Sequence, residues 1–338
     1  MTIDMTIDAA RVRSRVWRDG RLVADAIPIS EISDRIADPS VLVWVDLLAP
    51  TRDELLTVAE ELGLDPTAVE DVLEPHERPK VMRHTDHLFF VTYATRIAEP
   101  TGDPDGGGRL RLSRVSGFVL PSALVTVRSD TDGLDLDDVL RRWDGNADLL
   151  VHGPGALLHG LLDAIVDGQF AAIQRLDDDI EALEDELFED RADRVFLRRV
   201  YGLRKDLVRL RRVVLPMREV VNGLLRHRPA DGSELERWYD DLYDHVLRAA
   251  EWTECLRDMV TTVFETNLSL QDTRLNTVMK QLAAWAAIIA VPTAVTGWFG
   301  QNVPYPGFQE PAGLWLSVAL IVVLGGSLYA VFRARDWI

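Results

Sequence analysis

Two stretches near the end of the sequence contain no charged residue: 281–299, QLAAWAAIIAVPTAVTGWF, and 312–332, AGLWLSVALIVVLGGSLYAVF. Each approaches the ~20 residues that cross a hydrocarbon core of about 30 Å. Tryptophans flank both, as expected where amphipathic rings sit at a membrane interface. Loop 300–311 holds no Lys or Arg, whereas Arg274 and Lys280 precede the first stretch and Arg333 and Arg335 follow the second. This asymmetry predicts a multi-pass protein of the cell membrane, with cytoplasmic termini and an outer loop.

Upstream the apolar positions recur with a helical period. Leu235, Trp238, Leu242, Val246, Ala249, Leu256, Val260, Val263 and Leu270 follow one another at alternating steps of three and four, broken at Thr253 and Asn267. Ser233 and Glu236 form a capping box ahead of this seam, and no Gly or Pro follows until Pro292. The pattern predicts one helix from 234 through the first span, about 100 Å long at ~1.5 Å per residue, packed along its seam against a long partner helix.

The first 150 residues alternate instead. Strands are expected at RVRSRVW and RLVADA around Asp19-Gly20, then VLVWVDL, HLFFVTYATR, RVSGFVL and ALVTVR. Thr51 with Glu54 is a capping box before LLTVAEEL, and Asp65-Pro66 opens TAVEDVL as N-cap and first helical residue. TGDPDGGGR (101–109) reads as a surface loop. From about 155 the pattern is helical only: an acidic segment ending LDDDIEALEDELFED, then the basic RVFLRRVYGLRKDLVRLRRVV within 194–226. Opposite charge predicts an antiparallel pair of solvated helices. The expected organisation is 1–150 cytoplasmic α/β domain, 151–230 helical pair, 231–280 stalk helix, 281–299 first transmembrane helix, 300–311 outer loop, 312–332 second transmembrane helix and 333–338 basic tail. The fold class is an α+β membrane protein.

Charge and composition narrow the function. With 55 acidic and 37 basic residues the formal charge is −18, the wrong sign for nucleic acid and the right one for gathering cations. Cys255 is the one cysteine, so no intramolecular disulfide or Cys-based zinc site is expected. The N-terminus has no apolar core of signal-peptide length. No GxxxxGK[ST], HExxH or GxSxG occurs, and the expectation is that the protein is not an enzyme. His84 and His87, flanking Asp86, read as a solvent-exposed edge rather than a metal site.

The first span carries the chemistry. Steps of three and four from Asn276 meet Met279, Ala283, Ala286, Ala290, Thr293, Gly297 and Gly300. Trp285, Ile288, Ile289 and Val295 lie off this small face. Such a face suits close helix packing or a pore wall. Steps in the other direction give Asp272, Ser269, Glu265, Thr262 and Asp258, unpaired carboxylates that favour a cation-gathering vestibule. Two spans cannot enclose a channel, so a pore requires an oligomer. Met279 and Leu282 would form an apolar collar able to gate by dewetting.

The long helix ending NTVMKQLAAWAAIIAVPTAVTGWFGQN, the short outer loop, the second span and the basic tail resemble the CorA family of divalent-metal channels. LDPTAVEDVLEPHERPKV looks like the family's segment before its central strands, so the resemblance covers nearly the whole chain. It implies a funnel-shaped homo-oligomer, a pentamer, embedded in the lipid bilayer. The family's Gly-Met-Asn reads Gly300-Gln301-Asn302 here. By resemblance these three form the selectivity filter, Thr293 and Asn276 deeper polar rings, and Met279 and Leu282 the hydrophobic gate. An ungapped count puts the stalk carboxylate of the regulatory metal site at Asp241; Glu265 is a second candidate, with Glu99, Asp103 and Asp105 as partners. Mg2+ is the implied transported and regulatory ion, with Co2+ and Ni2+ also carried and no organic cofactor. Gln301 leaves a zinc transporter of ZntB type as the alternative, and a non-conducting membrane-anchored sensor or scaffold as a third reading.

Overall fold

The computed structural model describes residues 11–28, 31–74, 77–99, 109–187, 194–226, 234–301, 304–305, 307–308 and 310–338. The chain divides into two compact units, Met1–Val263 and Phe264–Ile338.

The first unit is built on a seven-stranded sheet. Its strands are β1 (Val12–Arg18), β2 (Arg21–Asp25), β3 (Leu42–Leu48), β4 (Lys80–Arg83), β5 (Leu88–Ile97), β6 (Leu110–Val119) and β7 (Ala123–Arg128). They lie in the order β2-β1-β3-β7-β6-β5-β4, and only β3 and β7 run parallel. The expected Asp19-Gly20 turn joins β1 to β2, with φ of 51° and 72°. This left-handed pair matches the twist of a two-residue hairpin. All six expected strands form. β4 escaped the sequence reading because it has four residues and both faces stay partly exposed, so no alternation marks it.

Side-chain alternation along the central strands makes two cores. Val43, Val45 and Leu47 of β3 point to one face, where they join α1 (Ile32–Ile36), α2 (Arg52–Leu62) and α3 (Pro66–Leu73). Leu42 and Trp44 point to the other, beneath α4 (Leu136–Asp144), α5 (Ala147–Leu150), α6 (Pro154–Leu187), α8 (Met217–Arg226) and the start of α9 (Glu234–Phe299). Trp143 closes that core edge-on against Trp44 and Trp17, with ring centroids 5.3 and 6.1 Å apart. Asp46 is buried between the layers and takes two hydrogen bonds from Arg128 Nε and one of 2.7 Å from Arg128 Nη2. A further 2.7 Å bond comes from the Thr126 hydroxyl.

Two of the three capping expectations hold: Thr51 and Glu54 bond reciprocally at 3.3 and 2.6 Å, and Asp65 accepts from the Thr67 amide at 2.8 Å. Ser233 and the loop 101–108 lie outside the described residues. The basic segment is two helices, α7 (Arg194–Val214) and α8, because Pro216 has no N–H to continue the first. α6 and α7 lie side by side, and Arg199 pairs with Glu186 across them at 2.6 Å.

Two readings are corrected. The seam of α9 takes Tyr239 (1 % exposed) in place of Trp238 (37 %), and it includes Thr253 and Asn267, both buried, rather than breaking at them. Thr253 is accommodated because its hydroxyl donates to the Ala249 carbonyl at 2.7 Å. The His84–His87 edge is not solvent-exposed: His87 is buried, the rings stack at 4.8 Å, and His84 Nδ1 lies 3.2 Å from the Asp65 carboxylate.

Candidate functional site

The second unit comprises the C-terminal part of α9 and α10 (Pro311–Ala334) with the loop between them. Two helical stripes in it are shielded. On α9 these are Ala284, Ala287, Ile288, Val291, Pro292, Val295 and Phe299; on α10, Gly313, Ser317, Ile321, Gly325, Leu328 and Phe332. An isolated helix shields no side, so the two stripes of this hairpin cover each other.

The small face from Asn276 to Gly297 is a different one. At about 100° per residue it is centred roughly 150° around α9 from the shielded stripe. Asn276, Met279, Leu282, Ala283, Ala286, Ala290, Thr293 and Gly297 are all exposed, Met279 at 63 % and Leu282 at 65 %. Of the residues expected off the face, Ile288 and Val295 belong to the shielded stripe, and Trp285 and Ile289 face outward. The small face is therefore not the packing surface for the chain's own second helix.

The hydroxyls on this segment are oriented by the helix itself. Thr293 donates to the Ile289 carbonyl at 3.2 Å, and Thr296 donates to the Pro292 carbonyl at 2.8 Å. Each proton is thus committed inward, leaving the exposed oxygen of Thr293 with lone pairs only to offer. Closer to the first unit, Glu265, Ser269 and Asp272 are exposed, and neither carboxylate has an ion pair among the described residues. Asp258 departs from the expectation of unpaired carboxylates: Arg257 Nη2 holds it at 2.6 Å.

At the far end, the Gly300 amide donates to Thr296 O at 2.8 Å and the Gln301 amide to Trp298 O at 3.3 Å, closing the last turn of α9. Both residues are exposed; Asn302 lies outside the described residues. The sequence reading missed what anchors the loop. The Tyr305 hydroxyl donates to the Phe299 carbonyl at 3.1 Å, and its ring stands edge-on to Phe299 (5.2 Å) and Phe308 (5.4 Å). Gly307 sits at φ +90°, and a Cβ on Gly313 would collide with its carbonyl. Three aromatics spaced through a Pro- and Gly-rich stretch were the available signal.

Among the described residues the regulatory candidates form no common metal site. Asp241 is 72 % exposed with His245 Nε2 3.9 Å away, Glu265 and Glu99 are exposed, and Asp103 and Asp105 lie outside the described residues. Among the described residues no group of three His, Cys, Asp or Glu is placed to hold a metal ion.

Residues 39–334 match the family described as CorA-like Mg2+ transporter protein. The chain is 29 % identical over 309 residues to the cobalt/magnesium transport protein CorA of Thermotoga maritima, covering 89 % of this chain and 85 % of that one. It is 27 % identical over 317 residues to the zinc transport protein ZntB of Cronobacter sakazakii, covering 89 % and 90 %. The full-length structure of the CorA magnesium transporter of Methanocaldococcus jannaschii shares the fold, with a TM-score of 0.74 and 24 % identity over the whole of both chains.

Proposed function

The chain belongs to the CorA-like Mg2+ transporter family, which moves divalent cations across membranes and contains no enzymes, and from that premise we propose that it is a Mg2+ influx channel assembled as a homo-oligomer around α9. The observation that carries this reading is the small face from Asn276 to Gly297, which is exposed and is turned away from the chain's own second helix. In a ring of copies that face becomes the wall of a central path, and family resemblance makes the ring a pentamer.

Mg2+ sheds its inner waters reluctantly, and those waters present hydrogens outward. A wall that accepts hydrogen bonds without carrying charge passes such an ion and does not trap it. Thr293, with its proton committed to Ile289, supplies an acceptor. The amide oxygen of Asn276 supplies a second, and Gly300, Gln301 and Asn302 line the outer mouth as the filter. Glu265 and Asp272 gather cations on the inner side, and Met279 with Leu282 forms the gate. With the outer loop outside and both termini in the cytoplasm, a potential of 100 mV drives a divalent ion inward by about 4.6 kcal/mol.

Internal Mg2+ closes the channel by joining Asp241 to a carboxylate of the neighbouring subunit. The described residues of one chain do not assemble such a site, and a hard cation needs several oxygen ligands. Neutralising Asp241 should therefore relieve Mg2+ inhibition of flux. A second reading, a zinc transporter, draws on Gln301 at the middle filter position and on the likeness to ZntB.

Ion entry into proteoliposomes, with Mg2+, Co2+, Ni2+ and Zn2+ side by side and Asn302→Ala as control, tests both. Mg2+ entry that the substitution abolishes supports the magnesium channel. Zn2+ entry without Mg2+ moves the chain to the zinc reading. No entry of any ion, from folded oligomer, makes it a membrane-anchored sensor or scaffold.

A further inference from the structure

α7 concentrates positive charge on a chain whose formal charge is −18: Arg194–Val214 holds eight Lys and Arg and one Asp. Between α7 and α9, within the first unit, lies a groove of about 490 Å3 lined by Arg204, Arg211, Arg212 and Arg257 over an apolar floor that includes Leu207 and Val260. Half of this charge is answered within the chain. Glu254 pairs with Arg211 and, at 2.8 Å, with Arg257, which also holds Asp258. Arg204 and Arg212, two turns apart on the same face with exposed Val208 between them, make no ion pair among the described residues.

The complementary surface is on α6. Its last turns carry Asp178, Glu181 and Asp185 on one exposed face. Gln174 donates to Asp178 at 3.3 Å, while Glu181 and Asp185 have no ion pair among the described residues. The two helices run side by side, yet their free charges do not meet.

We propose that the α7 groove is the docking surface for a second copy of this chain, which inserts the acidic face of its α6 so that Glu181 and Asp185 pair with Arg204 and Arg212. Two chains of −18 repel each other, and screening leaves that repulsion strongest at contact distance. Assembly therefore needs cations placed where the copies touch, and this groove offers two unpaired arginines beside an apolar floor. The two patches differ, so the contact is head-to-tail, the type that closes into rings. Arginine–carboxylate pairing needs no metal. The surface would thus keep subunits together when internal Mg2+ falls and the Mg2+-bridged contacts open. This inference rests on the oligomer of the proposed function.

The test is the oligomer size of the full chain in detergent, without Mg2+, by light scattering. Arg204→Glu/Arg212→Glu should weaken assembly about tenfold or more, and adding Glu181→Arg/Asp185→Arg should restore it. Oligomer unchanged by the arginine pair, or a loss that the swap fails to restore in folded protein, overturns the inference while leaving the oligomer standing. A wild-type chain that is itself monomeric overturns the oligomer. If the charge reversal prevents folding, cysteines decide: in a Cys255→Ser background, chains carrying only Arg204→Cys are mixed with chains carrying only Glu181→Cys. A disulfide between them is possible only across copies, and its absence in the mixed oligomer counts against the surface.

Discussion

Among the described residues three helices are long and apolar enough to cross a membrane: α6, the end of α9, and α10. Their fates differ. In α6, 61 % of the apolar window is buried inside the first unit; in α9 and α10 the figures are 6 % and 0 %. Composition alone does not separate them. α6 lies across a sheet that lacks cover on that face, and Leu157, Leu161, Leu162 and Ile165 fill the core beneath it. The α9–α10 hairpin covers one stripe per helix and leaves the rest of its apolar surface for something outside the chain. Surplus apolar surface identifies a span here, and apolar length does not.

The sharpest way to probe the first region is through the buried Asp46–Arg128 pair. Asp46→Ala leaves Arg128 buried without a counter-ion and should cost about 3–5 kcal/mol in the unfolding free energy of the first unit. Denaturant titration of the full chain, followed by tryptophan fluorescence, measures it, because Trp44 and Trp17 sit in the adjoining core. A cost under ~1 kcal/mol would mean that water reaches Arg128 and that the central layer is looser than the sheet implies.

Matched truncations compare the regions directly. Leu162→Ala in α6, at 0 % exposure, should cost about 2–5 kcal/mol. Leu316→Ala in α10, at 52 % exposure, should change stability in detergent by less than ~0.5 kcal/mol. Equal costs would break the comparison and place a protein surface, not lipid, against that side of α10.

Paired glycine substitutions then separate the two faces of the hairpin. A Cβ at Gly297 or at Gly326 meets nothing within 4 Å, so the chain tolerates leucine at either position. Gly297→Leu fills the small face and should cut Mg2+ flux about tenfold or more, equivalent to ~1.4 kcal/mol on the barrier, whereas Gly326→Leu should leave flux unchanged. Loss of flux in both, or in neither, would remove the small face as the proposed conducting wall.

The sequence made the spans legible because an uncharged run of about 20 residues has few other uses. The strands were legible through alternation and punctuating turns, and the caps of α2 and α3 through local chemistry. What escaped is what depends on distant partners. Asp46 and Arg128 are 82 residues apart in the chain, and nothing local to either signals the other. Trp238 and Tyr239 are adjacent and both aromatic, so only the packed core selects Tyr239 for the seam. Thr253 looked like a break because its polarity was read without the Ala249 carbonyl that receives its hydroxyl. Of the site, the small face followed from helical spacing. The side from which α10 covers α9 did not, because it depends on a loop fixed by Tyr305 and by the Gly307–Gly313 approach.

The smallest effect expected is a pH dependence confined to the first unit. Burial, and then the charge of His84, holds the imidazole of His87 below its ordinary pKa of 6.5, against the pull of Asp65 and Asp86. The folded chain therefore binds fewer protons there than the unfolded chain. The stability involved is complete above about pH 6.5 and is lost as pH falls through the depressed folded value. Asp65 acts lower on the scale. Hydrogen bonds from the Thr67 hydroxyl and amide bring it from 3.8 to about 2, so its contribution fades only as pH drops through that interval. His87→Phe should flatten the first step of an acid titration of unfolding free energy and leave the second. Between Lys280 and Glu310 the second unit carries no Asp, Glu or His. Its helical signal should thus persist through both steps in detergent at low pH. Melting of α9 and α10 together with the sheet would show that the hairpin depends on the first unit for its fold, and the contrast between the two regions would then be one of exposure alone.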